Sequence, residues 1–133
     1  MTLTEFLLAR IAEDEALART AYGHRVNART GQPGRWEQGV GMSSEVMGPA
    51  ESVAGAKNAA AAAHIARHDP AHVLAVCAAH RRIMELHTGD QHPDPRWHDE
   101  ICLGCQNELP CPTLRHLAAI WRDHDEWREE WSA

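Results

Sequence analysis

The chain has 133 residues and a formal net charge of −6, with 13 Lys and Arg against 19 Asp and Glu. That length suits one domain with a modest core. The acidic balance, without any Lys/Arg run, argues against broad nucleic-acid binding, and no apolar run approaches the ~20 residues of a membrane span.

Lys57 is the one lysine. Residues 1–12 carry Glu5 and Arg10 inside an amphipathic pattern instead of a signal-peptide pattern. Together with the four cysteines, three of them clustered, this sets the expectation of reduced thiols in the cytoplasm.

Thr2-Leu3-Thr4-Glu5 fits the capping box T-x-x-E, with Thr2 as N-cap. Leu3, Leu7, Ile11, Ala18 and Ala21 then fall near one helical face, so a first helix is predicted over residues 3–26. Glu13, Asp14 and Glu15 belong to its wet side. Thr30-Gly31-Gln32-Pro33-Gly34 breaks it. Trp36, Gln38, Val40 and Met42 share one parity, which predicts two short strands as a hairpin over residues 35–48, ended by Gly48-Pro49 and supported by the helices.

Residues 57–68 hold five consecutive alanines and are predicted helical. Asp69-Pro70 restarts a helix, with Asp69 as N-cap and Pro70 at the first helical position. Residues 71–87 carry Val73, Val76, Cys77, Ile83, Met84 and Leu86 as a buried stripe, and Thr88-Gly89-Asp90 stops them. Residues 91–99 read as an irregular loop. Cys111-Pro112 repeats the cap logic, opening a helix with Leu114, Leu117, Ile120 and Trp121. Asp123-His124-Asp125 interrupts it, and residues 126–131 form a last short turn. The expected architecture is α+β, mostly α: four or five helices, a small β-hairpin and a zinc-knuckle loop. It is one domain over residues 1–133, with a helical core over 1–88 and a metal-bound loop and C-terminal helix over 89–133.

Cys102, Cys105 and Cys111 form C-x2-C-x5-C, a spacing of metal sites more than of core thiols. The C-x2-C turn can place two thiolates on one ion, with Gly104 supplying the tight backbone. Cys111, at a helix N-terminus, is helped to ionise by the helix dipole. A structural zinc site wants a fourth ligand, and the candidates are His87, His98, His116 and Cys77. Cys77 and His87 lie roughly 15 Å apart along one helix and cannot share an ion. Cys77, among Val73, Val76 and Met84, reads as a core thiol. His87, at a helix end before a returning loop, ranks first, His98 second and His116 third. Four protein ligands leave no open position for a substrate.

The spacing Cys77-x24-Cys102-x2-Cys105-x5-Cys111 is similar to that of WhiB-like iron–sulfur regulators of actinobacteria, which implies a [4Fe–4S] cluster as the alternative cofactor. Their Gly-Val-Trp-Gly-Gly-type turn and basic tail are missing here.

A second resemblance covers nearly the whole chain. His64-Ile65-Ala66-Arg67-His68-Asp69-Pro70-Ala71-His72-Val73-Leu74, Arg81-Arg82-Ile83 with His87, Pro110-Cys111-Pro112-Thr113-Leu114-Arg115 and the tail from Asp123-His124 to Trp131 carry it. So does the opening from Phe6 to Glu15. The chain resembles a family of small uncharacterised proteins of actinobacteria and their phages, a domain of unknown function. That family usually has a proline where Asp125 stands. The resemblance implies a histidine near position 87 and implies no activity.

His64, His68 and His72 recur at i,i+4 beside Asp69, which on one unbroken helix would make a metal or acid–base face, and so a hydrolase site; Asp69-Pro70 argues for a break instead. Trp127 and Trp131, flanked by Glu126, Glu129 and Glu130, suit a protein partner if exposed, and core packing otherwise. No P-loop, dinucleotide fingerprint, G-x-S-x-G or kinase signature occurs. The expectation is a non-catalytic zinc-stabilised interaction or regulatory protein, phage-encoded and acting on a host protein. A WhiB-like redox or transcription regulator is the alternative.

Overall fold

The computed structural model describes residues 1–22, 34–41, 44–49, 51–89, 93–98 and 100–133. Among these residues, four α-helices and a three-stranded antiparallel sheet make the fold α+β and mostly α. The chain divides into two compact units, one of Met1–Glu13 with Cys77–Ala133, the other of Asp14–Val76. The first thirteen residues belong with the C-terminal part. No helix among the described residues is long and apolar enough to cross a membrane.

Helix α1 is Leu3–Tyr22. Its predicted continuation to residue 26 lies outside the described residues. The capping box closes in both directions: Glu5 N–H donates to Thr2 Oγ1 at 3.2 Å, and Thr2 N–H donates to Glu5 Oε2 at 2.7 Å. Two of the donors that every helix start leaves unpaired are thereby satisfied.

In the first unit, Leu3, Phe6, Leu7 and Ile11 of α1 are buried. The Phe6 ring lies 4.9 Å from the Trp131 ring and 6.1 Å from that of Trp127, which explains why the first turns of the chain join the tail. Trp131 is 4 % exposed. Of the two tryptophans read as either a partner surface or core, Trp131 is core, and half-buried Trp127 stacks edge-on against it at 5.8 Å. Removing an aromatic ring of this size from water stabilises the packing by about 2–3 kcal/mol. Arg10 is also buried, and it is paired, as a buried charge must be. It donates to Glu126 at 2.6 Å and to Glu13 at 2.7 Å.

The end of α3 (Pro70–Leu86) and α4 (Pro112–Ala118) complete this unit. Cys77 and Met84 are buried on α3, whereas Leu86, expected in the stripe, is 57 % exposed at its end. Leu114 and Leu117 are buried on α4. Ile120 is exposed, because the α-helix stops at Ala118 and a 3-10 turn, Ala119–Trp121, turns that position outward. The loop read as irregular holds a second 3-10 turn, Pro95–Trp97, where the Asp94 side chain accepts from Arg96 N–H at 3.0 Å.

The second unit holds β1 (Glu37–Gln38), β2 (Glu45–Met47), β3 (Ser52–Gly55) and α2 (Ala59–Arg67). The order is β1-β2-β3, with Gln38 opposite Val46 and Val46 opposite Ala54. The predicted hairpin is thus β1-β2, and Gly48-Pro49 turns the chain into a third strand instead of ending the sheet. Val46, Ala62 and Ala66 form the buried contact between sheet and α2, with Trp36 and Ile65 against it. Val40 breaks the expected parity: it lies in the turn and is fully exposed. Met42 lies outside the described residues. Asn58, unforeseen, caps α2 by accepting from Ala61 N–H at 2.9 Å.

Asp69 caps α3 as predicted, accepting from His72 N–H at 2.8 Å. Its other oxygen accepts from Trp36 N–H at 3.0 Å and Arg35 Nε at 2.7 Å. A fully buried carboxylate is tolerable here because both oxygens are occupied and a guanidinium compensates the charge.

Candidate metal centre

The backbone around the cysteines is a short hairpin. Ile101 and Glu108 form an antiparallel bridge. Cys102 N–H donates to the Asn107 carbonyl at 2.8 Å, and Gln106 N–H donates back to the Cys102 carbonyl at 2.9 Å. The tip needs one left-handed residue, and Gln106 supplies it at φ 57°. Gly104 serves differently from the tight-turn role expected of it. A β-carbon there would collide with the Leu86 carbonyl oxygen and come within 3.3 Å of His87 Nδ1. Glycine lets the tip lie directly against the end of α3, and Leu103 N–H donates to the Thr88 carbonyl at 2.9 Å beside it.

Four side chains converge where these segments meet. One ligand atom each from His87, Cys102, Cys105 and Cys111 lies within 4.8 Å of the other three, so the group could hold a metal ion. His87 Nδ1 is 3.5 Å from Cys102 Sγ and 3.6 Å from Cys111 Sγ. Zinc with ordinary Zn–S and Zn–N bond lengths at tetrahedral angles separates a nitrogen from a sulfur by about 3.6 Å. Cys102 and Cys111 are fully buried, and His87 and Cys105 half-buried. The donor set, three sulfurs and an imidazole, is that of structural zinc.

The thiols differ in proton affinity. Burial pushes Cys102 up to about 11. Hydrogen bonding from the Asn107 side chain, aided by His87, draws Cys105 down to about 6. Asn107, whose Nδ2 also donates to the Cys105 carbonyl at 2.9 Å, went unnoticed in the sequence. Its one signal is an amide two residues after a ligand cysteine, where side chains orient the first coordination shell.

Among the described residues, the cluster includes neither His98, His116 nor Cys77. His116 is exposed on α4, and Cys77 is buried in α3 as a packing thiol. The other histidine group straddles a helix break. The rings of His64 and His68 are 4.4 Å apart and those of His68 and His72 5.3 Å apart, but α2 ends at Arg67 and α3 begins at Pro70. His68 Nδ1 meets the His64 carbonyl at 2.9 Å, and Asp69 is committed to its cap.

An α+β chain with a Cys3His cluster pinning a hairpin to a helix end is what fold and site define. The chain belongs to the family of unknown function DUF6221, whose sequence profile matches residues 1–133. No curated protein and no solved structure matches it.

Proposed function

We propose that His87, Cys102, Cys105 and Cys111 hold one zinc ion that ties the hairpin to α3, and that the protein is a non-catalytic interaction or regulatory module. The observation that carries this reading is the convergence of the four ligand atoms within 4.8 Å. A cubane iron–sulfur cluster spreads its ligands over four irons and so holds their atoms farther apart than a single ion does, and a WhiB-like cluster would draw on Cys77 in place of His87. Four protein ligands fill a tetrahedral zinc and leave no position for substrate, which supports a non-catalytic role. The resemblance to actinobacterial and actinophage proteins supports a host protein as the partner, and the cytoplasm, where thiols stay reduced, as the setting.

Elemental analysis of anaerobically purified native protein, with its absorption spectrum, tests the reading. The expected result is one zinc per chain and no visible absorption. Iron with sulfide, and a band around 400 nm as clusters give, would replace it with the regulator reading.

A further inference from the structure

The three candidate thiols differ in how solvent reaches them. Cys102 and Cys111 are fully buried, whereas Cys105, on the turn of the hairpin, is half-buried. An oxidant in solution meets Cys105 first, because attack on a thiolate follows its exposure. The sulfurs of Cys102 and Cys111 both lie within 4.8 Å of the Cys105 sulfur. Of these two buried thiols, Cys102 is the one hydrogen-bonded to Cys105. Cys102 and Cys105 also share one turn, which the Gln106 N–H closes on the Cys102 carbonyl at 2.9 Å, whereas Cys111 enters from the start of α4. A turn keeps its first and fourth α-carbons within about 7 Å, the range from which a disulfide can close without moving backbone.

We propose that the site is a redox-sensitive clasp, in which hydrogen peroxide oxidises Cys105 and Cys102 closes on it as a reversible disulfide, freeing the metal and releasing the hairpin from α3. This regulation rests on the zinc reading above. In the first step the Cys105 thiolate attacks a peroxide oxygen. An S–O bond forms, the O–O bond breaks and hydroxide leaves, so that the sulfur is oxidised to a sulfenic acid and the peroxide is reduced. In the second step the Cys102 thiolate attacks that sulfur: the S–S bond forms, the S–O bond breaks and a second hydroxide leaves. Two protons from solvent turn the hydroxides into water. Two of the four ligands are then consumed, and His87 and Cys111 alone do not make the four-coordinate site that structural zinc requires. In a reducing setting the disulfide lasts only while oxidant is present.

The test treats zinc-loaded, full-length protein with a small excess of hydrogen peroxide and follows released zinc with a chromogenic chelator. Free thiols are then alkylated in denaturant, disulfides are reduced, and the new thiols are alkylated with a second reagent, so that mass spectrometry reads each cysteine. Expected are one zinc released per disulfide, the second label on Cys102 and Cys105 with the first on Cys77 and Cys111, and zinc rebinding after dithiothreitol. Cys77→Ser, outside the cluster, should release the same amount of zinc. Retention of zinc, a disulfide that includes Cys111 or Cys77, protection by Cys77→Ser, or zinc loss through sulfinic acid without a disulfide would each overturn the proposal. Zinc content before oxidation keeps the two readings apart. A chain without zinc overturns the zinc reading and this one with it, and a loaded chain that resists peroxide overturns this one alone.

Discussion

Gly104 lies so close to the carbonyl oxygen of Leu86 that no β-carbon fits between them. The obstacle is backbone on one side and a candidate ligand on the other, since the same β-carbon would press on His87 Nδ1 at 3.3 Å. Gly104→Ala must therefore push the hairpin tip away from α3. A loss of about 2–3 kcal/mol is expected from this overpacking, with weaker metal retention. Thermal unfolding and metal content after dialysis against a mild chelator measure both. A variant as stable as wild type would show that the tip can relax freely.

Cys102 and Cys77 are both buried thiols, yet they should behave oppositely on substitution. Cys102→Ser removes one of the four converging atoms and should abolish stoichiometric metal binding and lower the melting temperature, because binding energy at such a site is folding energy. Cys77→Ser should cost stability and leave one metal per chain. If Cys77→Ser instead empties the site, the ligand set is wrong.

The thiols also set a pH dependence. An ion bound near neutrality must displace the proton from Cys102, whose value stands at about 11, while Cys105, at about 6, is already mostly ionised. Metal affinity should fall with acidification and fall more steeply below pH 6, where Cys105 also protonates. For the metal-free chain the signs run in opposite directions. Cys105, depressed from 9.0, contributes stability present above pH 9 and lost as pH falls through 6. Cys102, raised from 9.0, contributes stability present below pH 9 and lost as pH rises through 11. These two groups place a stability maximum near pH 9, which melting curves of chelated protein between pH 6 and 11 would reveal or refute.

Asp69 joins the start of α3 to the segment before β1 through both its oxygens. Asp69→Ala loses a helix cap and leaves the buried side of the Trp36 amide without its acceptor. The expected cost is about 3 kcal/mol, larger than an exposed cap such as Thr2 would show. Chemical denaturation of both variants compares them. Equal losses for Thr2→Ala and Asp69→Ala would mean that the Trp36 and Arg35 bonds add nothing.

What could be read directly from residues was local chemistry. Thr2 to Glu5 and Asp69-Pro70 announce helix starts because a cap and its partner are neighbours in sequence, and Cys111-Pro112 does so through the proline at the first helical position, the Cys111 side chain making no capping bond. His87 was accessible to geometry because a helix fixes how far it stands from Cys77. The elements that escaped depend on distant partners. Ser52–Gly55 has no alternation to betray a strand, with three of its four residues exposed; pairing with β2 makes it one. Trp131 sits among acidic residues, and its burial rests on Phe6 at the opposite end of the chain. Such a contact leaves no mark within any window of sequence.

That pairing of Phe6 with Trp131 bears on how the protein is made. During synthesis Phe6 emerges long before Trp131, which covers it. The unit of Met1–Glu13 and Cys77–Ala133 cannot close until its later segment has been made, whereas Asp14–Val76 is continuous in sequence. An apolar helix start thus waits for Trp131 while the intervening chain is made, a period in which a nascent chain is exposed to wrong partners.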